Sequence, residues 1–298
     1  EIAELLPRLE RRRILYTPNF APRAEYVAAL AAGARVTVDN GYVLTAWPQV
    51  FAGQEIFLRV DTGVGRGHHT HVRTAGSRSK FGVPIAELPE LARIADKLGV
   101  QVVGLEAHVG SGVFEVTSWE HTARLLAGAV GSFAAVRVID IGGGLGVPER
   151  SDQPGVDLAA LDTLLTAVRA EYPQLDLWLE PGRYLAASCG VLLARVTQLK
   201  AKGGLRFAGL ATGMNSLIRP ALYGAYHEIA NLTRLDEPAT ELVSIVGPIC
   251  ESADVLGHDR LLPPTREGDV LLIANAGAYG RTMSSEYNLR APAEELFI

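Results

Sequence analysis

The chain has 298 residues, of which 48% are hydrophobic and 20% are charged, and its net charge at neutral pH is −5. This composition is typical of a globular protein with a sizeable core, and the acidic balance gives no reason to expect a nucleic-acid partner. No apolar run approaches the length of a bilayer span, and we expect neither a membrane segment nor a signal peptide. The two cysteines, Cys189 and Cys250, argue against a disulfide scaffold and favour a reducing, cytoplasmic compartment.

Short apolar runs alternate with helical patterns over the first two thirds of the chain. Residues 88–98 place their leucines on one helical face, with Gly99 as a C-terminal stop, and residues 158–168 repeat this pattern. The predicted strands are residues 13–17, 35–39, 56–61, 102–108, 136–141 and 176–180. Strands that alternate with helices predict parallel βαβ units.

Six strands are two fewer than a closed (β/α)8 barrel contains. The alternatives are an open, doubly wound sheet and a TIM-like barrel without its first two βα units. The chain starts at Glu1 with a charged, helical segment and no initiator methionine, which favours the incomplete barrel.

The last third of the chain is rich in predicted strands, and its helical periodicity is weak. The strands are expected at residues 189–198, 206–211, 241–246 and 269–274. We therefore predict a barrel domain over residues 1–187, followed by a β-sandwich or barrel-like domain over residues 188–298.

Polar residues and glycines follow four predicted barrel strands, at the end of the sheet where parallel barrels carry their active sites. The four groups are the segment SKFG at residues 79–82, which follows a loop, then His108 with Ser111, then Gly142, Gly143 and Gly144, and then Glu180 with Arg183. Backbone amides of a glycine run can approach a phosphate closely. A purely structural turn explains the same run equally well.

Each polar candidate also has a structural interpretation. Glu180 could hold a protonated pyridine nitrogen, but spacing alone favours a rim salt bridge to Arg183. His108 could stack on an aromatic ring or exchange a proton, although a structural histidine is the simpler interpretation. The histidines at 68, 69 and 71 lie in a loop without a cysteine pair, so we expect no metal site there.

The β-domain carries further polar groups. Arg219 and Tyr223 place a guanidinium and a phenol four residues apart, and arginine binds carboxylates through two hydrogen bonds. Cys250 stands in the acidic segment GPICESAD, although a lone cysteine is usually a small buried hydrophobe. The segment AGAYG predicts a tight turn that presents Tyr279.

The chain resembles the alanine-racemase-like decarboxylases that use pyridoxal phosphate (PLP), and most closely the diaminopimelate decarboxylase family. The motifs that carry the resemblance are, in order, SKFG, HVGSG, GGGLG, EPGR, RPALYGAYH, GPICESAD and AGAYGRTMSSEYNLR. They cover nearly the whole chain, and the last three are the specific ones. The resemblance implies decarboxylation of meso-2,6-diaminopimelate to L-lysine, the last step of lysine biosynthesis, by a cytoplasmic homodimer with shared active sites.

The resemblance also implies a role for each candidate. Residues that would contact PLP are His108, Ser111, Gly142, Gly143, Gly144, Glu180 and Tyr279. Residues that would hold the distal end of the substrate are Arg183, Arg219, Tyr223, Glu251 and Ser252. His108 would stack on the ring, Glu180 would pair with the pyridine nitrogen, and the partner subunit would deliver Cys250 to protonate the product carbanion. Lys80 and Asp254 would pair at the dimer interface.

One element of the family pattern is missing. The Schiff-base lysine of the family lies on the first barrel strand, in a Tyr-Ala-x-Lys-Ala-like segment. None of the four lysines in this chain lies in such a segment; they are Lys80, Lys97, Lys200 and Lys202. We therefore expect a chain shortened by proteolysis or engineering, or a piece of a longer fusion, that is inactive by itself.

The substrates of these related decarboxylases differ in the charges at their distal end. The distal end of diaminopimelate carries an ammonium and a carboxylate, and the chain offers Arg183 and Arg219 for the carboxylate and Glu251 for the ammonium. Decarboxylation of carboxynorspermidine, arginine or ornithine stays an alternative, as does a PLP-binding relative without catalysis. A metal-dependent barrel hydrolase would need a carboxylate–histidine cluster, which the sequence does not show.

Overall fold

Two sheets of different kinds account for the fold, and each lies in its own compact unit. The computed structural model describes residues 1–63, 65, 75–76, 79–108 and 110–298. The first unit consists of Glu1–Gly146 and Val156–Pro181, and the second of Val147–Gly155 and Gly182–Ile298. A domain boundary at residue 187 stays a prediction.

The sheet of the first unit is parallel and open. Its strands are β1 (Leu15–Tyr16), β2 (Arg35–Val38), β3 (Glu55–Asp61), β4 (Val83–Pro84), β5 (Gln101–Glu106), β6 (Val138–Asp140) and β7 (Asp176–Trp178). They are ordered β1-β2-β3-β5-β6-β7, and the short β4 pairs with the end of β3. This open parallel sheet confirms the predicted incomplete barrel and places the carboxyl ends of all its strands along one edge.

Helices alternate with these strands, as the sequence predicts. They are α1 (Ile2–Leu5), α2 (Arg23–Ala31), α3 (Tyr42–Ala46), α4 (Pro48–Phe51), α5 (Leu88–Leu98), α6 (Thr117–Ala129) and α7 (Leu158–Glu171). Helix α5 ends at Gly99, whose φ of 64° is the left-handed cap that glycine adopts without strain. Helix α7 begins where Asp157 Oδ1 accepts a hydrogen bond from the Ala160 N–H at 2.9 Å.

The sheet of the second unit is mostly antiparallel. Its strands are β8 (Leu192–Lys202), β9 (Leu205–Leu210), β10 (Ile229–Asn231), β11 (Glu241–Val246), β12 (Val255–Leu262) and β13 (Val270–Ile273). They are ordered β10-β13-β8-β9-β11-β12, and only the β9–β11 pair within this sheet is parallel. Two short helices, α8 (Gly182–Ala186) and α9 (Arg219–Tyr223), belong to the same unit.

Burial along the strands differs between the two sheets. Residues 56–60 of β3 are all buried, as expected for a parallel strand covered on both faces. Residues 192–197 of β8 alternate between buried and exposed, because an antiparallel strand can face solvent on one side. No helix in the described ranges is both long and apolar enough to cross a bilayer.

Candidate active site

Carboxylates gather at the carboxyl edge of the parallel sheet. Glu106 and Asp140 end β5 and β6, while Asp39 and Glu180 follow β2 and β7. The first three are buried, whereas Glu180 is exposed. The Arg59 side chain comes from the neighbouring β3, and its Nε lies 3.5 Å from Glu106 Oε2. The four carboxylates therefore outnumber Arg59, the cation at this edge.

The SKFG motif lies beside this acidic cluster. The Arg59 guanidinium lies over the Phe81 ring, 4.6 Å from its centroid, and Lys80 Nζ lies 5.3 Å from the same centroid. An aromatic face attracts a cation, so Phe81 helps to hold Arg59 in place. Lys80 thus lies against Phe81, and its expected pairing across a dimer interface stays a prediction.

Burial changes the acidity of this cluster. It raises the pKa of Glu106 to about 8, with Arg59 opposing the rise and the charges of Glu180, Asp140 and Asp39 adding to it. Burial, together with the charge of Asp140, raises the pKa of Glu180 to about 7 against the opposing effect of Arg59. Acids that hold protons this tightly indicate a site that would accommodate an additional cation.

Glu106 is the most enclosed of these acids. Its side chain is inaccessible to solvent, and neither carboxylate oxygen has a hydrogen-bond partner within the described residues. A buried acceptor without a donor costs roughly 1–3 kcal/mol, so such an arrangement is typical of functional sites rather than of a plain core.

The glycine run after β6 is packed too tightly for any larger residue. Gly142 and Gly144 have φ angles of 68° and 92°, which disfavour any residue with a Cβ. A Cβ added to Gly143 would lie 2.0 Å from the carbonyl oxygen of Glu180. The Trp119 indole N–H donates to Gly143 O at 3.0 Å and fixes this peptide from the helix side.

The amides of the run are only partly open to a ligand. The Gly142 N–H donates to Asp140 Oδ1 at 3.0 Å, and the Gly143 N–H donates to His108 Nδ1 at 3.1 Å. No acceptor in the described part of the chain takes the Gly144 N–H, and Gly144 lies against the loop that carries Ser111. Of the three glycines expected at a phosphate, Gly144 has the amide best placed to serve one.

His108 is a neutral ring with a defined tautomer. Burial, with a smaller effect of Arg59, lowers the pKa of His108 to about 4. Because Nδ1 accepts from the Gly143 N–H, the ring proton lies on Nε2. His108, the glycine run and Glu180 are therefore brought together, as their positions at strand ends predict.

A second polar cluster lies in the second unit and contains two buried arginines. The Arg183 Nη2 lies 2.9 Å from Glu149 Oε1, and the Arg219 Nη2 lies 3.9 Å from the same oxygen. The Arg183 and Arg219 side chains are 6% and 3% exposed, whereas that of Glu149 is 22% exposed. Two guanidiniums thus share a single carboxylate, which leaves the cluster with a net positive charge.

His227 holds Arg219 from the other side. Its Nδ1 lies 2.7 Å from Ala274 O, which accepts only if Nδ1 carries the proton. Burial lowers the pKa of His227 to about 4, so the ring is neutral, and its Nε2 accepts from Arg219 Nη1 at 3.0 Å. Arg219 therefore lies between a neutral acceptor and a carboxylate.

Burial also acts on Arg219 itself. It lowers the pKa of Arg219 to about 10, as does the charge of Arg183, while Glu149 and the phenols of Tyr223 and Tyr279 oppose this effect. Arg219 remains cationic at neutral pH and is poorly solvated, which is the state in which a guanidinium binds an anion most strongly.

The loop after β11 presents its polar residues to solvent. Cys250, Glu251 and Ser252 are all exposed, and the Cys250 N–H donates to Asn288 Oδ1 at 2.8 Å. Asp254 is buried beneath them. These exposed residues are available to another molecule.

Asp254 organises this loop from within. Its carboxylate accepts hydrogen bonds from the Met214 N–H at 2.6 Å and the Ile249 N–H at 2.8 Å, and the residue is only 4% exposed. The expected pairing of Asp254 with Lys80 at a dimer interface stays a prediction.

The segment AGAYG forms the predicted turn. Tyr279 is half-exposed and has a φ of 59°, which is uncommon for a residue with a side chain. A Cβ at Gly277 would lie 2.1 Å from Ala186 O, so the close packing of this turn requires glycine. Strained backbone of this kind is frequent at functional sites.

Comparison with known proteins identifies the family. The profile of the pyridoxal-dependent decarboxylases, pyridoxal binding domain, matches residues 7–187. Diaminopimelate decarboxylase from Methanothermobacter thermautotrophicus is 41% identical over 95% of this chain and 69% of its own length. The chain belongs to the diaminopimelate decarboxylase family. The Archaeoglobus fulgidus diaminopimelate decarboxylase is 34% identical, over 96% of this chain and 71% of its own length.

Solved structures support the same family. A crystal structure of diaminopimelate decarboxylase matches with a TM-score of 0.88 and 32% identity, over 95% of this chain and 71% of that one. The Helicobacter pylori diaminopimelate decarboxylase complexed with L-lysine matches with a TM-score of 0.87 and 26% identity, over 96% and 75% of the two chains. A viral arginine decarboxylase shares the fold at 20% identity.

The sequence motifs assign no role to several residues of the two polar clusters and their surroundings. They are Asp39, Arg59, Glu106, Trp119, Asp140, Glu149 and His227. Arg59 and Glu106 could have been predicted from the sequence, because they are charged residues inside apolar strands, and buried charges are rare without a partner or a function.

The three histidines at 68, 69 and 71 lie outside the described residues. Within the described residues, no group of three or more His, Cys, Asp or Glu side chains is arranged so that it could hold a metal ion.

Proposed function

We propose that this protein decarboxylates meso-2,6-diaminopimelate to L-lysine, with PLP as its cofactor. The observation that carries the proposal is the pair of buried arginines, Arg183 and Arg219, in a member of this family. A distal carboxylate needs such a pair, whereas the side chains of ornithine and arginine end in cations. The relatives' names supply the reaction, and the positive cluster supports this substrate among those of the wider superfamily.

The acidic cluster of the first unit fits PLP in two respects. The Gly144 N–H has no acceptor among the described residues, so it can donate to a phosphate oxygen. The excess of buried carboxylates over Arg59 suits a protonated pyridine. When bound, PLP supplies a sink for the electrons that the departing carboxylate leaves behind.

The residues that would hold PLP have distinct tasks. Glu180 would pair with the pyridine N–H. The positive charge of the pyridinium would then lower the pKa of the Glu180 carboxyl and keep it ionised. The neutral His108 ring, fixed by the Gly143 amide, would lie against the ring face. Ser111, the Gly144 amide and Tyr279 would take the phosphate.

Proton delivery is assigned to Cys250. A thiol can donate its proton to a carbanion that lies within reach. The exposure of Cys250, Glu251 and Ser252 supports a role outside their own subunit. We therefore propose a homodimer in which each loop completes the partner's active site, with Tyr223, Glu251 and Ser252 beside the substrate.

The substrate assignment is tested on the intact gene product loaded with PLP. We expect CO2 release from meso-diaminopimelate in preference to arginine, ornithine and carboxynorspermidine. Arg219→Ala should lower kcat/KM for meso-diaminopimelate by about 100-fold or more, because an unpaired buried carboxylate costs roughly 2–5 kcal/mol. The cofactor absorbance should remain.

The control is Arg206→Ala, which removes an exposed arginine that pairs with Glu241 on the surface of the same unit. This variant should keep wild-type rates, because surface ion pairs contribute little. Undiminished turnover by Arg219→Ala, or a wild-type preference for arginine or ornithine, would contradict the assignment.

Residues 1–298 are proposed to be inactive by themselves. None of the four lysines lies in a segment like that of the family's Schiff-base lysine. Side-by-side assays of this chain and of the intact gene product test the point, and turnover by the chain alone would refute it.

A further inference from the structure

The peptide between Gly143 and Gly144 is held from one side only. Its N–H, that of Gly144, finds no acceptor in the described part of the chain. Its oxygen, that of Gly143, accepts a hydrogen bond from the Trp119 indole N–H at 3.0 Å. Because the C=O and N–H of a trans peptide lie in one plane and point in opposite directions, the partner that fixes the oxygen also sets the direction of the N–H.

The preceding peptide has partners at both of its ends. The Glu180 N–H donates to Gly142 O at 2.9 Å, and the Gly143 N–H donates to His108 Nδ1 at 3.1 Å. Both partners belong to the ends of neighbouring strands, so the orientation of this peptide depends on the sheet and not on α6.

The following peptide is also held by backbone. Gly144 O accepts a hydrogen bond from the Val113 N–H at 2.9 Å, and the Gly146 N–H donates to Val113 O at 2.7 Å. Among the residues that the structure describes, Trp119 is therefore the one hydrogen-bond partner of the middle peptide.

The middle peptide needs such a partner more than its neighbours do. It joins two glycines, whose backbone can adopt many conformations, so the chain itself does little to prevent this peptide from rotating. A hydrogen bond to a peptide oxygen also makes the N–H of the same peptide a stronger donor, by about 10–30%. The Trp119 bond thus both orients the Gly144 N–H and strengthens it as a donor.

Trp119 is itself held firmly. It lies in the first turn of α6, and its side chain is inaccessible to solvent. Ser118, Thr122 and Ala123 of the same helix are buried as well, and Thr122 Oγ1 donates to Ser118 O at 2.8 Å. A large ring enclosed in this way has little freedom to move, so its N–H holds the Gly143 oxygen at a fixed point.

We propose that Trp119 is a positioning residue for the cofactor, because its indole N–H orients the Gly143–Gly144 peptide so that the Gly144 N–H donates to the phosphate of PLP. The inference rests on the proposed placement of that phosphate at Gly144. Trp119 acts through the peptide and needs no contact with the cofactor. Loss of the indole N–H should therefore weaken binding of the phosphate and leave binding of the pyridine ring unchanged.

Two changes at position 119 remove the indole N–H. Trp119→Phe keeps an aromatic ring but leaves a cavity, which lowers the stability of the fold. Benzothienylalanine at the same position keeps the two fused rings and replaces the N–H by sulfur. The second variant therefore removes the hydrogen bond without creating a cavity, and it provides the test if Trp119→Phe does not fold.

The experiment compares the Kd of PLP with that of pyridoxal, which has the same ring and aldehyde but no phosphate. Both are measured by absorbance on the cofactor-free intact gene product. The wild type should bind PLP more tightly than pyridoxal. Either change at position 119 should raise the Kd of PLP by roughly 5- to 30-fold, because a hydrogen bond to a charged group is weakened, and should change the Kd of pyridoxal by less than about twofold.

Two control variants separate this effect from a loss of stability. Trp47→Phe changes another tryptophan of the first unit, whose ring packs against Tyr26 and Tyr42, and it should leave both Kd values unchanged. Leu126→Ala creates a cavity at a buried position of α6 itself. It should leave the ratio of the two Kd values at its wild-type level, whatever its effect on the stability of the fold.

Three outcomes would overturn the inference. An unchanged Kd of PLP in the variants at position 119 would show that the indole N–H does not serve the phosphate. Equal weakening of PLP and pyridoxal would show a purely structural role for Trp119. A wild type that binds PLP no more tightly than pyridoxal would refute the placement of the phosphate as well.

The affinity ratio does not depend on turnover, so the inference and the proposed reaction can fail separately. A wild type without activity toward meso-diaminopimelate would refute the proposed reaction, whereas a selective loss of PLP affinity in Trp119→Phe would still support the role of Trp119.

Discussion

At the scale of single residues, the chemistry of this chain depends on charges placed inside strands. Glu106 ends β5 with its carboxyl group fully buried, and its nearest cation is Arg59 at 3.5 Å. The neighbouring acids Asp140 and Glu180 raise its pKa further. A neutral, protonated Glu106 is therefore the favoured form in the folded chain at neutral pH.

This protonation links stability to pH. The folded pKa of Glu106, about 8, lies above the usual value of 4.5, so the folded chain binds more protons than the unfolded chain between these values. The free energy of unfolding contributed by Glu106 is then complete below the lower value and is lost as pH rises towards the upper one. Glu106→Gln, which cannot ionise, should abolish this loss.

Urea denaturation of both chains without cofactor provides the measurement. Between about pH 5 and pH 8, the wild type should lose up to a few kcal/mol of unfolding free energy relative to Glu106→Gln. The histidines, whose folded pKa values are lowered, act in the opposite direction but equally in both chains. If the unfolding free energies of the two chains changed with pH in parallel, Glu106 would be ionised in the folded chain.

The sequence predicts some of these residues and not others. His108 and Glu180 follow strands at positions where parallel barrels carry their chemistry, so their gathering could be predicted. Glu149 and His227 could not, because their significance lies in contacts across 34 and 8 positions of sequence, with Arg183 and Arg219. Periodicity carries no information about such partners.

At the scale of elements, the strands that could be predicted are those with a continuous apolar run in the sequence. The parallel strands are short, those at the centre of the sheet are mostly buried, and each predicted run overlaps an observed strand. Strand β12 was not predicted, because its sequence VLGHDRLL has a polar centre and a residue, Asp259, with a φ of 47°. Tertiary pairing with β11 overrides this weak local preference.

The loops that follow β6 and β7 are packed so closely that one glycine should control their stability. A Cβ at Gly143 would meet the Glu180 carbonyl at 2.0 Å, and backbone cannot move aside as a flexible side chain can. Gly143→Ala should therefore destabilise the chain by about 1–3 kcal/mol, as overpacking does. Chemical denaturation measures the change directly.

Gly128→Ala is the matched control for this substitution. Gly128 lies in α6 with no atom within 4 Å of an added Cβ, so alanine should stabilise that helix by up to about 1 kcal/mol. Substitutions of the same chemistry should thus have opposite signs. Equal effects of the two variants would show that the loops after β6 and β7 separate without cost.

At the scale of the whole molecule, two units carry two different kinds of chemistry. The first gathers acids that suit a cationic ring, and the second gathers arginines that suit an anionic substrate end. The exposed loop of Cys250 belongs to the second unit, and the buried Asp254 carboxylate beneath it accepts two backbone hydrogen bonds. An exposed loop that is held from within in this way is well suited to enter the site of another subunit.

Mixed dimers test whether this loop acts on the partner subunit. In the intact gene product, Glu180→Gln removes the proposed partner of the pyridine nitrogen, and Cys250→Ala removes the proposed proton donor. Each variant alone should therefore be nearly inactive. If each site takes Glu180 from one subunit and Cys250 from the other, equal mixing after dissociation gives hybrid dimers with one intact site. Because half of the dimers are hybrids, activity should recover to about a quarter of the wild-type value. If one subunit supplied both residues, no hybrid would contain an intact site, and the mixture would stay as inactive as its components.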